Sequence, residues 1–147
     1  MEMTNKHYTN SGREVSYYGY NISPVIDNDI KTLDELFTKL LLSYSIDTTY
    51  PLCKNDYNYD NNPTYGQCAI TSLIVQDIFG GTIHKTKVNG ITHYFNIVDN
   101  HYIDLTKDQF SEDINYEQNE QVDRSYCLEN EDTKKRYKLL LNNLTRL

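Results

Sequence analysis

Beginning at Leu33, the apolar residues Leu33, Leu36, Phe37, Leu40, Leu41 and Tyr44 fall at i, i+3, i+4, i+7, i+8 and i+11, the spacing of one face of an α-helix. Thr32-Leu-Asp-Glu35 precedes it as a capping-box pattern, in which a hydroxyl oxygen accepts a backbone N–H that the first helical turn leaves unpaired. A second run, Cys68 to Phe79, carries Ala69, Ile70, Leu73, Ile74, Val75, Ile78 and Phe79 around most of its circumference. A helix that apolar belongs in the interior, so it is predicted as the buried central helix. Thr64-Tyr-Gly-Gln67 reads as a second capping box at its start, and Gly80-Gly81 as its C-terminal stop.

After the glycines the period changes from 3.6 to two. Thr82 to Val88 and Ile91 to Val98 read as strands joined by Asn89-Gly90, a type I′ turn signal, and Asp99-Asn100 offers a second two-residue turn into a strand over 101–106. Three antiparallel strands follow. Asn130 is the expected N-cap of a last helix, with Tyr137, Leu140, Leu141 and Leu144 on one stripe. Residues 1–30 mix Tyr with Asn, Ser and Gly without a sustained period, which predicts an irregular polar arm of low order holding at most one short strand; 45–63 reads as loop. The expectation is an irregular arm over 1–30 and a single α+β domain over 31–147, its buried helix packed on a small antiparallel sheet.

The length of 147 residues fits one core, and the net charge of -7 argues against nucleic acid as a partner. No apolar run is long enough for a membrane span and the N-terminus has no leader pattern, so a cytoplasmic protein with no membrane partner is expected. Three cysteines, Cys53, Cys68 and Cys127, are too few and too odd in number for a disulfide framework. Fourteen Tyr, no Trp and the Asn/Asp/Tyr tract over 55–62 fit an AT-rich bacterial or phage genome.

Cys68 would sit in the first turn of the buried helix, where unpaired N–H groups and the positive end of the helix dipole favour a thiolate. If Asp99-Asn100 is a two-residue turn, Val98 pairs with His101 and Phe95 with Asp104, so His93 and Asp104 share a face as diagonal neighbours. A three-residue loop would put Asp104 on the other face. With the helix start beside His93, the three residues make a nucleophile, a general base and the group that orients the base. Gln67, Asn62 and Asn96 are candidates to complete an oxyanion hole with the Cys68 backbone N–H. Zinc is the rival use of Cys and His, but no C-x-x-C or H-x-x-x-H spacing occurs, so neither metal nor cofactor is expected. Cys53, Cys127, His7 and His84 read as surface or packing residues.

The stretch from Asn62 to Gly81, His93-Tyr-Phe-Asn96 and Asp104-Leu-Thr-Lys-Asp-Gln-Phe110 resemble the YunG family of small bacterial proteins. Tyr44-Ser-Ile-Asp-Thr48 is similar to a Trp-Ser-x-x-Thr element of that family, and Arg124-Ser-Tyr126 and Arg136-Tyr-Lys-Leu-Leu140 resemble its closing segment; Tyr44 and Phe95 stand where Trp is expected. The resemblance, which runs from about residue 32 to the end, implies a papain-like fold of the transglutaminase or NlpC-P60 type, with Cys68, His93 and Asp104 as a catalytic triad. The expected function is that of a cysteine hydrolase or acyltransferase acting on an amide or thioester of a peptide, protein or small molecule. The alternative is a binding or inhibitory protein of the same fold, which the tyrosine-rich composition favours.

Overall fold

The computed structural model describes residues 3–9 and 11–146. In chain order its elements are β1 (Met3–Tyr8), β2 (Glu14–Gly19), α1 (Leu33–Ser43), α2 (Cys68–Phe79), β3 (Thr82–Val88), β4 (Ile91–Val98), β5 (His101–Ile103), β6 (Glu120–Val122), α3 (Arg124–Leu128) and α4 (Glu131–Thr145). Single 3-10 turns lie at Pro51–Cys53 and Lys107–Gln109. The architecture is α+β, with an antiparallel sheet in the order β5-β4-β3-β6 and a separate β1-β2 hairpin.

Both predicted two-residue turns form. Asn89 and Gly90 take φ of 51° and 81°, Asp99 and Asn100 take 52° and 66°, and two successive positive φ values are what a type I′ hairpin requires. Val88 therefore pairs with Ile91 and Val98 with His101, the expected register. The sheet gains a fourth strand, β6, which pairs Ile83 with Val122 and is too short to show a period. The third strand stops at Ile103 rather than running to 106; Asp104 turns instead to Tyr18 of β2, exchanging two backbone hydrogen bonds of 3.0 and 2.8 Å.

Helix α2 is nearly sealed. Ile70, Leu73 and Ile74 are wholly buried, and with Leu36, Phe37 and Leu40 of α1, Ile103, and Leu140 of α4 they form most of the interior. At its C-terminus a Cβ on Gly81, at φ +76°, would lie 2.3 Å from the Ile97 carbonyl oxygen, so only glycine lets the chain pass from helix to sheet this closely. The two capping boxes fare differently. Thr32 accepts the Glu35 N–H at 3.0 Å, whereas Thr64 turns its hydroxyl to Asn62 and the N-cap of α2 is Gln67, without a side-chain cap. Asn130 caps α4, accepting the Thr133 N–H at 3.0 Å.

The N-terminal segment differs most from expectation. It is a hairpin, turned by Gly12 at φ +90°, and not an irregular arm. Val15 and Tyr17 are buried toward α1, Tyr17 packing on Phe37 at 4.6 Å between ring centroids, while Ser16 is buried on the other face. A strand covered on both sides, one of them through polar residues, has no apolar-polar alternation to read. No helix among the described residues is long and apolar enough to cross a membrane.

Candidate active site

Cys68 is the first residue of α2, so its own N–H and those of the next residues lack intrahelical acceptors. Gly66, two residues earlier, brings the preceding loop close, since a Cβ there would lie 2.2 Å from the Thr49 hydroxyl oxygen. Because β5 stops opposite Asn96, it leaves the edge of β4 from 91 to 95 uncovered, and Cys68 meets β4 there. The thiol lies beside the imidazole of His93 and the backbone N–H of Tyr94, and both favour its thiolate form.

His93 is wholly buried, and its Nε2 lies 2.6 Å from Oδ2 of Asp104, itself 1% exposed. Asp104 is held from several directions: Tyr116 Oη donates to Oδ2 at 2.8 Å, and Thr106 donates its N–H and hydroxyl to Oδ1 at 3.1 and 3.3 Å. With Nε2 taken by the carboxylate, Nδ1 is the imidazole nitrogen left, and it has the Gln109 amide nitrogen 3.2 Å away. The structure thus brings Cys68, His93 and Asp104 together, the imidazole bonded to the carboxylate and the thiol beside the imidazole, through the diagonal placement of His93 and Asp104.

The electrostatics favour charge separation along this line. Burial pushes the Cys68 thiol up, but the His93 hydrogen bond, the His93 charge and the Tyr94 N–H together outweigh it, leaving the thiol below its ordinary 9.0. Burial pulls His93 down, yet the Asp104 charge and hydrogen bond and the Cys68 contact raise it to about 10. The other two cysteines behave oppositely: burial raises Cys53, and raises Cys127 to about 11. Cys53 and Cys127, read from sequence as surface or packing residues, line the same cavity as Cys68.

The three oxyanion candidates lie elsewhere. Gln67 is buried beneath the helix start with Nε2 donating to the Ser45 carbonyl, Asn62 donates to the Gln109 carbonyl, and Asn96 ties β4 to the Ser72 carbonyl of α2. None of the three lines the cavity on which Cys68 opens. A residue that sequence reasoning passed over does: Gln109. Its Oε1 accepts the Gly66 N–H at 3.3 Å, which orients the amide so that Nε2 faces His93 Nδ1 and donates to the Thr106 hydroxyl, both at 3.2 Å. The signal was within reach, for Gln109 stands in the Asp104–Phe110 motif, but a 3-10 turn has no period to aim its side chain. Among the described residues no group of three or more His, Cys, Asp or Glu side chains is arranged to hold a metal ion.

The site is therefore a thiol, an imidazole and a carboxylate in series within an α+β domain. The family model described as YunG protein matches residues 32–147, and the chain belongs to that family. A Bacillus subtilis (strain 168) protein carrying the description "Uncharacterized protein YunG" is 44% identical over 55 residues, 37% of this chain and 48% of that protein. That alignment therefore spans about half the length of the relative. No solved structure matches the chain.

Proposed function

We propose that this chain is a cysteine-dependent hydrolase or acyltransferase of papain-like architecture, attacking an amide or thioester carbonyl through Cys68. The observation that carries the reading is His93, bonded to Asp104 and placed beside Cys68, whose thiolate it favours. A buried imidazole so placed takes the thiol proton on Nδ1, Asp104 stabilises the resulting imidazolium, and the same proton later goes to the leaving group. The Cys68 sulfur adds to the carbonyl carbon, the leaving amine or thiol departs with that proton, and water or a second nucleophile releases the acyl group.

Gln109 fits this sequence through its hydrogen-bond partner. Its amide nitrogen, 3.2 Å from Nδ1, donates there only while Nδ1 is unprotonated. In the thiolate–imidazolium form Nδ1 is itself a donor, which leaves the Gln109 N–H, on the lining of the cavity that Cys68 shares, to the oxygen on which negative charge develops. With the Cys68 backbone N–H it supplies the oxyanion hole.

The test is competitive alkylation with iodoacetamide followed by peptide mass spectrometry. At pH 7 Cys68 is expected to react at least about 10-fold faster than Cys53 or Cys127 in the native protein. Equal rates for the three thiols, or a Cys68 slower than the others, would remove the basis for catalysis and leave a binding protein as the better reading.

A further inference from the structure

The cavity on which Cys68 opens, about 440 Å³, is within the range of small-molecule sites and has room for a side chain or acyl group. Its lining includes Ile91, Tyr94 and Tyr126 on the sheet and α3 side, and Tyr50 on the loop side. Several of these also remain open to solvent: Ile91 is 57% exposed, Tyr126 47% and Tyr50 44%, and Leu52, between the lining residues Tyr50 and Cys53, is 80% exposed. Large apolar side chains gathered around a nucleophile, uncovered by the rest of the chain, mark a surface built for an apolar group.

Charge on the lining argues in the same direction. Among the described residues no carboxylate lines the cavity, so no fixed negative charge there selects a cation. Its one charged lining residue, Arg136, is already engaged: Nε donates to Asp132 at 2.7 Å, the terminal nitrogens to the Thr48 carbonyl at 3.1 Å and the Thr133 hydroxyl at 3.5 Å, and the guanidinium lies 5.7 Å from the Tyr50 ring centre. An anionic ligand would have to displace Asp132, a partner of its own charge, from a residue that is only 4% exposed. The acidic surface of the molecule, at net -7, is thus not the character of this cavity.

We infer that the cavity beside Cys68 recognises an uncharged apolar group, aromatic or aliphatic, so that the substrates are neutral amides or thioesters carrying such a group next to the scissile carbonyl. The reaction named here rests on the proposed function; the recognition does not, and the two are separable by experiment. Four iodoacetamides share one reaction, in which the Cys68 sulfur displaces iodide from the methylene carbon, and differ only in the group on nitrogen: hydrogen, phenethyl, 2-carboxyethyl and 2-aminoethyl. Rates at Cys68 in the full chain, normalised to glutathione, are expected to be at least roughly 10-fold higher and saturable for the phenethyl reagent relative to the parent, with neither charged reagent faster than the parent. Ile91→Asp is expected to bring the phenethyl-to-parent ratio back toward one. A charged reagent that reacts fastest, or a phenethyl reagent no better than the parent, overturns the inference. A phenethyl preference in a protein that forms no acyl-Cys68 with the thioester of 3-phenylpropanoic acid upholds the apolar site and defeats the acyl-transfer reading alone.

Discussion

Protonation of Cys68 is coupled to that of His93, and the coupling fixes a pH profile. Raised to about 10 in the fold, His93 contributes stability that is complete below the ordinary imidazole value of 6.5 and fades as pH rises through about 10. Cys68, lowered from 9.0, contributes above that ordinary value and loses its contribution as pH falls through the lower folded one. These are one interaction seen from its two partners, so the thiolate–imidazolium pair spans the interval between the folded values. Alkylation of Cys68 is expected to rise at a pH below 9.0 and to change again near 10 as His93 loses its proton. In His93→Gln the imidazolium is gone, and burial together with the Asp104 charge is opposed only by the Tyr94 N–H, so a single rise displaced above 9.0 is expected in a pH–rate profile. Gln109→Ala makes a different prediction. Removing a donor that favours unprotonated Nδ1 moves the alkylation rise to lower pH, while acyl transfer from a thioester falls by roughly 10²-fold for want of the oxyanion donor. A purely structural Gln109 would not move these two readings in opposite directions.

At the scale of elements, legibility followed local chemistry. The β3-β4 and β4-β5 turns were readable because Asn-Gly and Asp-Asn carry positive φ cheaply, and register then followed from turn length. That register is why His93 and Asp104 could be paired from sequence. Asn130 was readable as a cap because its side chain bonds three residues ahead, and Asn130→Ala is expected to lower stability by ~1 kcal/mol in a denaturant titration. Thr64 shows the limit of the same rule: the box spelling is present, but the turn from Thr64 to Gln67 closes through backbone and its hydroxyl points to Asn62. Gln67, Asn62 and Asn96 are of the right residue type for an oxyanion donor, but the direction of an amide depends on carbonyls contributed by distant segments, here those of Ser45, Gln109 and Ser72. Strand β6 and helix α3 were invisible for a simpler reason, since three and five residues hold no full period.

On the scale of the molecule, the site depends on a segment outside the family match. Residues 32–147 match the family, yet Tyr18 of β2 clamps the backbone of Asp104 on both sides, and Ser16 donates its N–H and hydroxyl to Asp108 at 2.7 and 3.1 Å, one residue before Gln109. The hairpin therefore braces both the carboxylate that orients His93 and the turn that carries Gln109. An independent arm and a brace differ in hydrogen exchange: amides of a detached arm exchange almost at once, while amides of a brace open with what they hold. The Tyr18 and Asp104 N–H groups bond to each other's carbonyls, so they are expected to exchange with matched protection approaching that of Ile97 in β4. Val15→Ala loosens the buried face of β2 without touching the site, and is expected to raise exchange at Asp104 together with Tyr18. Cys68 alkylation at pH 7 should then slow, because an imidazole whose carboxylate is less firmly placed holds its proton less well. Unchanged protection at Asp104 in that variant would mean that β5 and the Lys107–Gln109 turn hold the carboxylate by themselves, and that the hairpin only covers them.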